Sequence, residues 1–183
     1  MLQRLRSLAR TALNRVEAFF HPGRRRRALA RVRARAGDPI VFICYGNICR
    51  SPFAELWMRR RDPDGAEAYT SAGFRPGGRS SPDTAQAVSR EVFDLDLGPH
   101  VSRGLDEVPR SGRLWVVMEH VHLRRLARAG IDRDDILILG DLDPGPVERR
   151  AILDPSGRSA EVFEARYHRI VRCLEELAVA RGS

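Results

Sequence analysis

Four short stretches with strand patterns, separated by segments with helical spacing, constrain the fold of this chain more than any other feature. Three are apolar runs at residues 40–43, 114–118 and 136–139, and the fourth, at residues 68–72, is a weaker strand pattern. The segments with helical spacing lie at residues 52–61, 81–92, 120–129 and 159–180. Ser81 is expected to cap the second of them, with Ala85, Val88 and Val92 on one side. The last is expected to bury the face that carries Phe163, Tyr167, Ile170, Leu174 and Leu177. Strands that alternate with helices form parallel sheets, because each crossover helix returns the chain to the same end of the sheet. We therefore predict an α/β fold with a doubly wound sheet of four parallel strands and helices on both faces.

The first predicted strand runs into the stretch VFICYGNICRSPFAE at residues 41–55. Doubly wound sheets bind ligands beyond the carboxyl ends of their strands, and Cys44 stands at such an end. The loop after it can direct backbone N–H groups inward, while a helix that Ser51 caps adds its positive end. Gly46 and Asn47 readily adopt the left-handed backbone angles that such a curl requires. The stretch therefore predicts a site for a tetrahedral oxyanion.

Two side chains of this loop suit phosphoryl transfer. The field at the start of the helix should hold Cys44 as a thiolate at neutral pH, which places a nucleophile beneath the bound anion. The guanidinium of Arg50 is planar and always charged, so it can bind two phosphoryl oxygens as charge spreads in the transition state. We expect these two residues to be catalytic.

The whole stretch resembles the signature of the low-molecular-weight protein tyrosine phosphatases, and the similarity extends over roughly residues 40–180. Further matches are Thr70 to Gly73, His100, Ser102, Arg103, Val117, Met118 and an Asp-Pro pair before the last helix. The resemblance implies a flavodoxin-like fold and a phosphatase that hydrolyses phosphotyrosine on proteins through a phosphocysteine, without metal or cofactor. The residues it assigns to binding phosphate or supporting the loop are Tyr45, Gly46, Asn47, Ile48, Cys49 and Ser51. In this family the serine hydroxyl bonds the nucleophilic sulfur, and the asparagine braces the loop.

The resemblance also requires a general acid, and the chain offers two Asp-Pro pairs. Asp143 follows the fourth predicted strand closely, whereas Asp154 lies just before the last helix. The acid of the family occupies the second kind of position, on a loop that folds over the phosphate. We therefore assign Asp154 as the acid and interpret Asp143 as a turn residue.

Two positions depart from the pattern of phosphatases that act on phosphotyrosine. Such enzymes commonly carry an aromatic residue after the Asp-Pro pair, but this chain has Ser156 and Gly157 there. Tyr45 could supply an aromatic face instead or simply pack at the rim, and the sequence leaves both open. A related branch that removes phosphate from arginine carries threonine at the position of Ile48, so the isoleucine favours tyrosine.

Three other functions are compatible with the same fold. One is a protein-arginine phosphatase, and another is a phosphate-binding module without catalysis. The third is an arsenate reductase, whose thioredoxin-linked members need further cysteines some 70 to 80 residues after the nucleophile. No cysteine lies between Cys49 and Cys173, so that relay is missing. We expect Cys173 to fill the core. Cys49 matches the second cysteine of many phosphatases of this family, and the resemblance implies that it can pair with the nucleophile under oxidation and protect it.

Residues 1–37 differ sharply in charge from residues 38–183, which we interpret as the phosphatase domain. The first segment holds 11 arginines and one acid, for a charge of +10, while the remainder carries −2. Its apolar residues follow helical spacing up to Phe20, and His21 to Gly23 predict a break. This basic extension could pack on its own domain or a partner subunit, or contact an anionic membrane. We do not expect nucleic acid as a partner, because the domain itself is not basic.

Three cysteines are too few for a disulfide framework, so a reducing compartment is expected and we place the protein in the cytoplasm. Its expected partners are a phosphotyrosine protein as substrate and, as a candidate, a tyrosine kinase. The His120 and His122 pair is interpreted as part of a surface helix, and no metal site is predicted there.

Overall fold

The computed structural model describes residues 2–145, 147 and 149–182, and the predicted elements appear in the predicted order. The four strands are β1 (Ile40–Cys44), β2 (Tyr69–Gly73), β3 (Leu114–Val117) and β4 (Ile136–Ile138). The five α-helices in the described residues are α1 (Leu2–Ala34), α2 (Arg50–Arg61), α3 (Asp83–Phe93), α4 (His120–Arg128) and α5 (Ala160–Arg181). None of these helices is both long and apolar enough to cross a membrane.

The strands form one parallel sheet in the order β2-β1-β3-β4, which confirms the predicted architecture. The chain winds outward from β1 in one direction to β2 and in the other to β3 and β4. The strand order therefore reverses beside β1, and the crevice beyond its carboxyl end is the expected ligand site. Cys44 is the last residue of β1 and lies at that crevice.

Alternate residues of the buried strands face opposite layers of helices. Ile40 and Phe42 pack with α1, α2, α3 and α5 in the larger of two apolar clusters. Val41 and Ile43 point to the opposite face, where Leu126 of α4 covers them. Helices on both faces are the defining feature of a doubly wound fold, so this part of the prediction is also confirmed.

The predicted break at His21 to Gly23 is wrong, because α1 continues through Pro22 to Ala34. A proline inside a helix costs about 3 kcal/mol, since it removes one hydrogen bond and crowds the preceding turn. Tertiary contacts offset that cost. The ring nitrogen Nε2 of His21 lies 2.8 Å from the carbonyl oxygen of Asp143, and the buried side chains Ala28, Leu29 and Val32 join the main core. The second half of α1 therefore packs on the domain, one of the placements that the sequence left open.

Two predicted helix caps are also wrong. α2 begins at Arg50 with Cys49 in the cap position, and the Ser51 hydroxyl bonds the Cys44 sulfur instead of the helix backbone. α3 begins at Asp83 with Pro82 in the cap position, so Ser81 lies one residue too early to cap it. The buried face of α3 ends with Phe93, and Val92 is exposed rather than buried.

Candidate active site

The loop after β1 turns through a single left-handed residue. Asn47 has a φ angle of 52°, as its residue type suggested, but Gly46 does not adopt a positive φ angle. One left-handed residue is enough to reverse the chain, which makes the second unnecessary. The carbonyl oxygen of Gly46 accepts a hydrogen bond of 2.6 Å from the Arg79 guanidinium, which holds this side of the loop.

The loop lies directly against the end of β2, where only glycine fits. A Cβ atom on Gly73 would lie 2.8 Å from the amide nitrogen of Asn47 and 3.0 Å from the carbonyl oxygen of Tyr45. These contacts are with backbone, which cannot move aside without opening the loop. The match of Gly73 to the family pattern therefore has a steric cause that the sequence did not reveal.

The sulfur of Cys44 is buried at the base of the loop and accepts two hydrogen bonds. The backbone N–H of Asn47 donates to it at 3.2 Å, and the hydroxyl of Ser51 donates at 3.1 Å. The amino end of α2 begins a few residues later. Two hydrogen-bond donors and the amino end of a helix therefore converge on this sulfur.

A chain of buried hydrogen bonds orients these donors. The side-chain amide of Asn47 donates to Ser51 at 3.0 Å and to Ser71 at 2.8 Å. Ser71 donates to the carboxylate of Glu55, which in turn pairs with Arg103 at 2.8 Å. Because Asn47 donates to the oxygen of Ser51, the hydroxyl proton of Ser51 is left to point at the sulfur.

The backbone of Asn47 is fixed by two further contacts. Its carbonyl oxygen lies 2.8 Å from the Nε2 atom of His100, and its side-chain oxygen accepts a 2.7 Å bond from the N–H of Arg103. Burial lowers the pKa of His100, which keeps the ring neutral with one nitrogen free to donate. Both residues belong to the downstream stretch that matched the family pattern.

The guanidinium of Arg50 is buried and held on three sides. Its Nη1 atom donates to Glu119 at 2.6 Å and to the carbonyl oxygen of Ile152 at 2.9 Å, and its Nη2 atom lies 3.0 Å from Asp154. Burial opposes its charge, but the nearby charges of Cys44, Asp154 and Glu119 outweigh burial and raise the pKa of Arg50. The Nε atom has no protein partner within the described chain. Arg50 is therefore a fixed cation with unused hydrogen-bonding capacity.

Sequence reasoning missed Glu119 as a functional residue. It lies two residues after the end of β3 and therefore reaches the same edge of the sheet as Cys44, which is the signal that could have found it. The neighbouring His122 is buried, and burial together with the charges of Arg50 and Arg125 lowers its pKa to about 3. A neutral ring of this kind cannot act as a general acid near neutral pH.

The two candidate aspartates have opposite environments. The carboxylate of Asp143 is 1% exposed and pairs with Arg169 at 2.9 Å and with Arg172 at 3.3 Å, so it is fully engaged in the interior. The carboxylate of Asp154 is 42% exposed and lines the same cleft as Cys44. Only Asp154 can reach a substrate bound over the sulfur.

The cleft above the sulfur has a volume of about 190 Å³ and is bordered by cations. Tyr45 lines it, with the guanidinium of Arg125 5.0 Å from the centre of its ring and that of Arg75 6.0 Å away. The sequence left open whether Tyr45 forms an aromatic wall or packs at the rim, and the structure places it in the lining with cations beside its ring. The other side chains of the lining are Ile48, Cys49, Arg75, Arg79 and Ser156.

A strand, a loop, a helix and a later loop thus bring a cysteine, an arginine and an acid together at one edge of the parallel sheet. Comparison with known proteins shows the class of protein that has this fold. The family model described as "Low molecular weight phosphotyrosine protein phosphatase" matches residues 39–181. The chain belongs to this family.

Relatives in two branches are equally similar to the chain. It is 31% identical over 145 residues to the low molecular weight protein-tyrosine-phosphatase Wzb of Salmonella typhi, covering 78% of this chain and 93% of that protein. It is also 31% identical over 145 residues to the protein-arginine-phosphatase of Bacillus subtilis, covering 76% of this chain and 93% of that protein. The structure of Wzb from Escherichia coli K30 in complex with sulphate has a TM-score of 0.68 at 29% identity, covering 78% of this chain and 96% of the other.

Proposed function

We propose that this protein hydrolyses phosphotyrosine on other proteins through a phosphocysteine intermediate on Cys44. The observation that carries the proposal is the placement of the Cys44 sulfur. It accepts hydrogen bonds from Asn47 and Ser51 at the base of a cleft that Asp154 also lines. We further propose that the catalytic unit is residues 38–183 and that its chemistry needs no metal.

The reaction proceeds in two displacements at phosphorus. The thiolate of Cys44 forms a bond to phosphorus while the bond to the tyrosine oxygen breaks, and Asp154 donates a proton to the leaving oxygen. Arg50 stabilises the charge on the phosphoryl oxygens. A water molecule then attacks phosphorus, Asp154 accepts its proton, and the phosphorus–sulfur bond breaks. The Ser51 hydroxyl, 3.1 Å from the sulfur, stabilises the thiolate that leaves.

The cations at the cleft favour tyrosine over arginine as the phosphorylated residue. Arg75, Arg79 and Arg125 lie around Tyr45 and the loop. A positively charged guanidino group of a substrate would be repelled by them, whereas a neutral phenyl ring would not. Ile48 also adds an apolar surface to the cleft. A protein-arginine phosphatase remains the second candidate, because a relative of that class is as similar as the tyrosine phosphatases.

A panel of phosphopeptides tests the substrate class. We expect a phosphotyrosine peptide to be hydrolysed at least about tenfold faster than the same peptide carrying phosphoserine or phosphoarginine. A phenyl ring contacts the apolar surface of Ile48, which serine cannot reach, and it is not repelled by the arginines as a guanidino group would be. Steady-state phosphate release measures the rates, with Cys44→Ser as the blank and an arm with a metal chelator. Faster hydrolysis of the phosphoarginine peptide would identify the protein as a protein-arginine phosphatase instead. Loss of activity with the chelator would contradict the proposal that the chemistry needs no metal.

We propose that Cys49 protects the nucleophile from irreversible oxidation. It lies in the loop beside Cys44, and burial and the charge of Cys44 raise its pKa to about 12, so it rests as a thiol. Peroxide converts the Cys44 thiolate to a sulfenic acid, and the Cys49 thiol then condenses with it, releasing water and forming a disulfide. A thiol reductant would reverse this step.

We expect peroxide-treated protein to recover most of its activity on addition of a thiol reductant, and the Cys49→Ser variant to recover little. Turnover of para-nitrophenyl phosphate before and after reduction measures the difference. Cys173→Ala is the matched control, because Cys173 is buried in the core on α5 and should not affect recovery. Equal recovery by Cys49→Ser and the unaltered protein would exclude this role.

We propose a cytoplasmic location, a tyrosine kinase as a candidate partner, and a peripheral contact of residues 1–37 with anionic membranes. The contact is supported by the exposed apolar side chains of α1, which are Val16, Phe19 and Phe20. Arginines follow them along the same helix. A helix that combines these two features suits the interface between lipid headgroups and acyl chains.

A further inference from the structure

A groove lies along the outer edge of β4, between α1 and α4, away from the active-site cleft. Its volume is about 350 Å³, and its apolar lining comes from Ala28, Leu123 and β4. That volume exceeds the roughly 190 Å³ of the catalytic cleft. The arginines that line the groove are Arg24, Arg27, Arg31, Arg133 and Arg150.

Three of these arginines are already paired. Arg150 binds Asp141 at 2.6 Å, Arg24 binds Glu17 at 3.1 Å, and Arg31 binds Asp134 at 3.2 Å. These acids neutralise their partners, and the pair of Arg31 with Asp134 joins α1 to the domain.

Arg27 and Arg133 remain as unneutralised cations at the groove. Both are exposed, and neither has an ion-pair or side-chain hydrogen-bond partner among the residues that the structure describes. The pKa of the nearby His120 is lowered by burial and by the charges of Arg150, Arg124 and Arg133, which agrees with a positive field on this side of the domain. The groove therefore has the charge and the donors to bind an anion.

The face of α1 that carries Arg27 and Arg31 has apolar side chains in its earlier turns. Val16, Phe20, Arg27 and Arg31 are spaced by four, seven and four residues, which places them along one side of a helix. Val16 is 53% exposed and Phe20 is 55% exposed. An apolar surface that continues into arginines matches the boundary between acyl chains and phosphate headgroups in a bilayer, and a soluble anion would not need the apolar part.

We propose that the groove binds the phosphate headgroup of an anionic phospholipid while Val16 and Phe20 insert beside it. This inference rests on the membrane contact proposed above and names its binding site. Because Ala28 and Leu29 are buried in the core, α1 is fixed to the catalytic domain, and binding of α1 to a membrane would set the orientation of that domain. Arg150 is four residues from Asp154, so their Cα atoms lie within about 14 Å of each other. The catalytic cleft would therefore be held close to the bilayer surface, within reach of phosphotyrosines on membrane-attached proteins.

Vesicle cosedimentation of the full chain tests the site. We expect binding to vesicles of phosphatidylcholine with phosphatidylglycerol and little binding to phosphatidylcholine alone. The double variant Arg27→Gln, Arg133→Gln should bind at least about tenfold more weakly, since each arginine near an anionic surface contributes about 1 kcal/mol. The matched control is Arg26→Gln, Arg128→Gln, which makes the same change in net charge at exposed positions outside the groove lining and should bind within about twofold of the unaltered protein.

The outcomes separate the two proposals. If the unaltered protein binds neither vesicle, the membrane contact itself is wrong. If Phe20→Ser weakens binding but the groove variant binds like its control, the contact stands and the groove assignment is overturned. If inorganic phosphate at the concentration of lipid phosphate displaces the protein from vesicles, the groove binds free phosphate, and the assignment of a phospholipid as its ligand is overturned. Turnover of para-nitrophenyl phosphate should be unchanged in all these variants, because none of the altered residues contacts the catalytic cleft.

Discussion

Replacing Cys44 with serine is expected to abolish turnover of every phosphate monoester, with a loss of about 10⁴-fold to 10⁶-fold, the range found when a covalent nucleophile is removed. The donors at this position, the hydroxyl of Ser51 and the N–H of Asn47, stabilise a charged sulfur. A serine hydroxyl stays protonated at neutral pH and cannot use them. Steady-state assays with para-nitrophenyl phosphate and a phosphotyrosine peptide measure the loss.

The control for this prediction separates chemistry from binding. In the proposed mechanism the backbone of the loop and Arg50 hold the oxyanion, so Cys44→Ser should still bind inorganic phosphate, which isothermal titration calorimetry measures directly. Cys49→Ser alters a neighbouring cysteine of the same loop and should keep turnover within a few-fold of the unaltered protein. Retention of substantial turnover by Cys44→Ser, with phosphate binding intact, would exclude a phosphocysteine on this residue.

The sheet and most helices could be predicted because local patterns determine them. The buried strands are short apolar runs, and α5 buries the residues that its spacing selected, including Phe163, Tyr167 and Ile170. The continuity of α1 through Pro22 could not be predicted in the same way. The cost of the proline is local and visible in the sequence, whereas the burial of Ala28 and Val32 that offsets it depends on the assembled core.

For the loop after β1, too, some residues could be predicted from the sequence and others only from the folded structure. Residues 44–51 are contiguous, so one stretch of sequence names them, and the family resemblance selects Asp154 as the Asp-Pro pair that precedes the last helix. Glu119, Arg79 and Gly73 come from three separate segments that the parallel sheet brings to one edge. No spacing in the sequence links them to the loop. Their roles are to hold Arg50, to hold the Gly46 carbonyl and to leave room for the backbone, and each is visible only from distances.

Replacing Asp154 with alanine should separate substrates by their leaving groups. The phenol of tyrosine has a pKa of about 10, so its oxygen needs a proton as the bond to phosphorus breaks. Loss of the acid should slow hydrolysis of phosphotyrosine and alkyl phosphates by about 10² to 10⁴-fold. Para-nitrophenol is far more acidic and leaves without that help, so its phosphate ester should be affected much less.

The second aspartate supplies the control that makes this result specific. Asp143 is buried between Arg169 and Arg172, so Asp143→Asn removes a buried charge from two cations and should destabilise the fold by about 3 kcal/mol. It lies outside the cleft lining, so the ratio of the two substrate rates should not change in the protein that remains folded. Chemical denaturation measures the first effect and paired assays measure the second. Equal losses on both substrates in Asp154→Ala would contradict proton donation by this residue to the leaving oxygen.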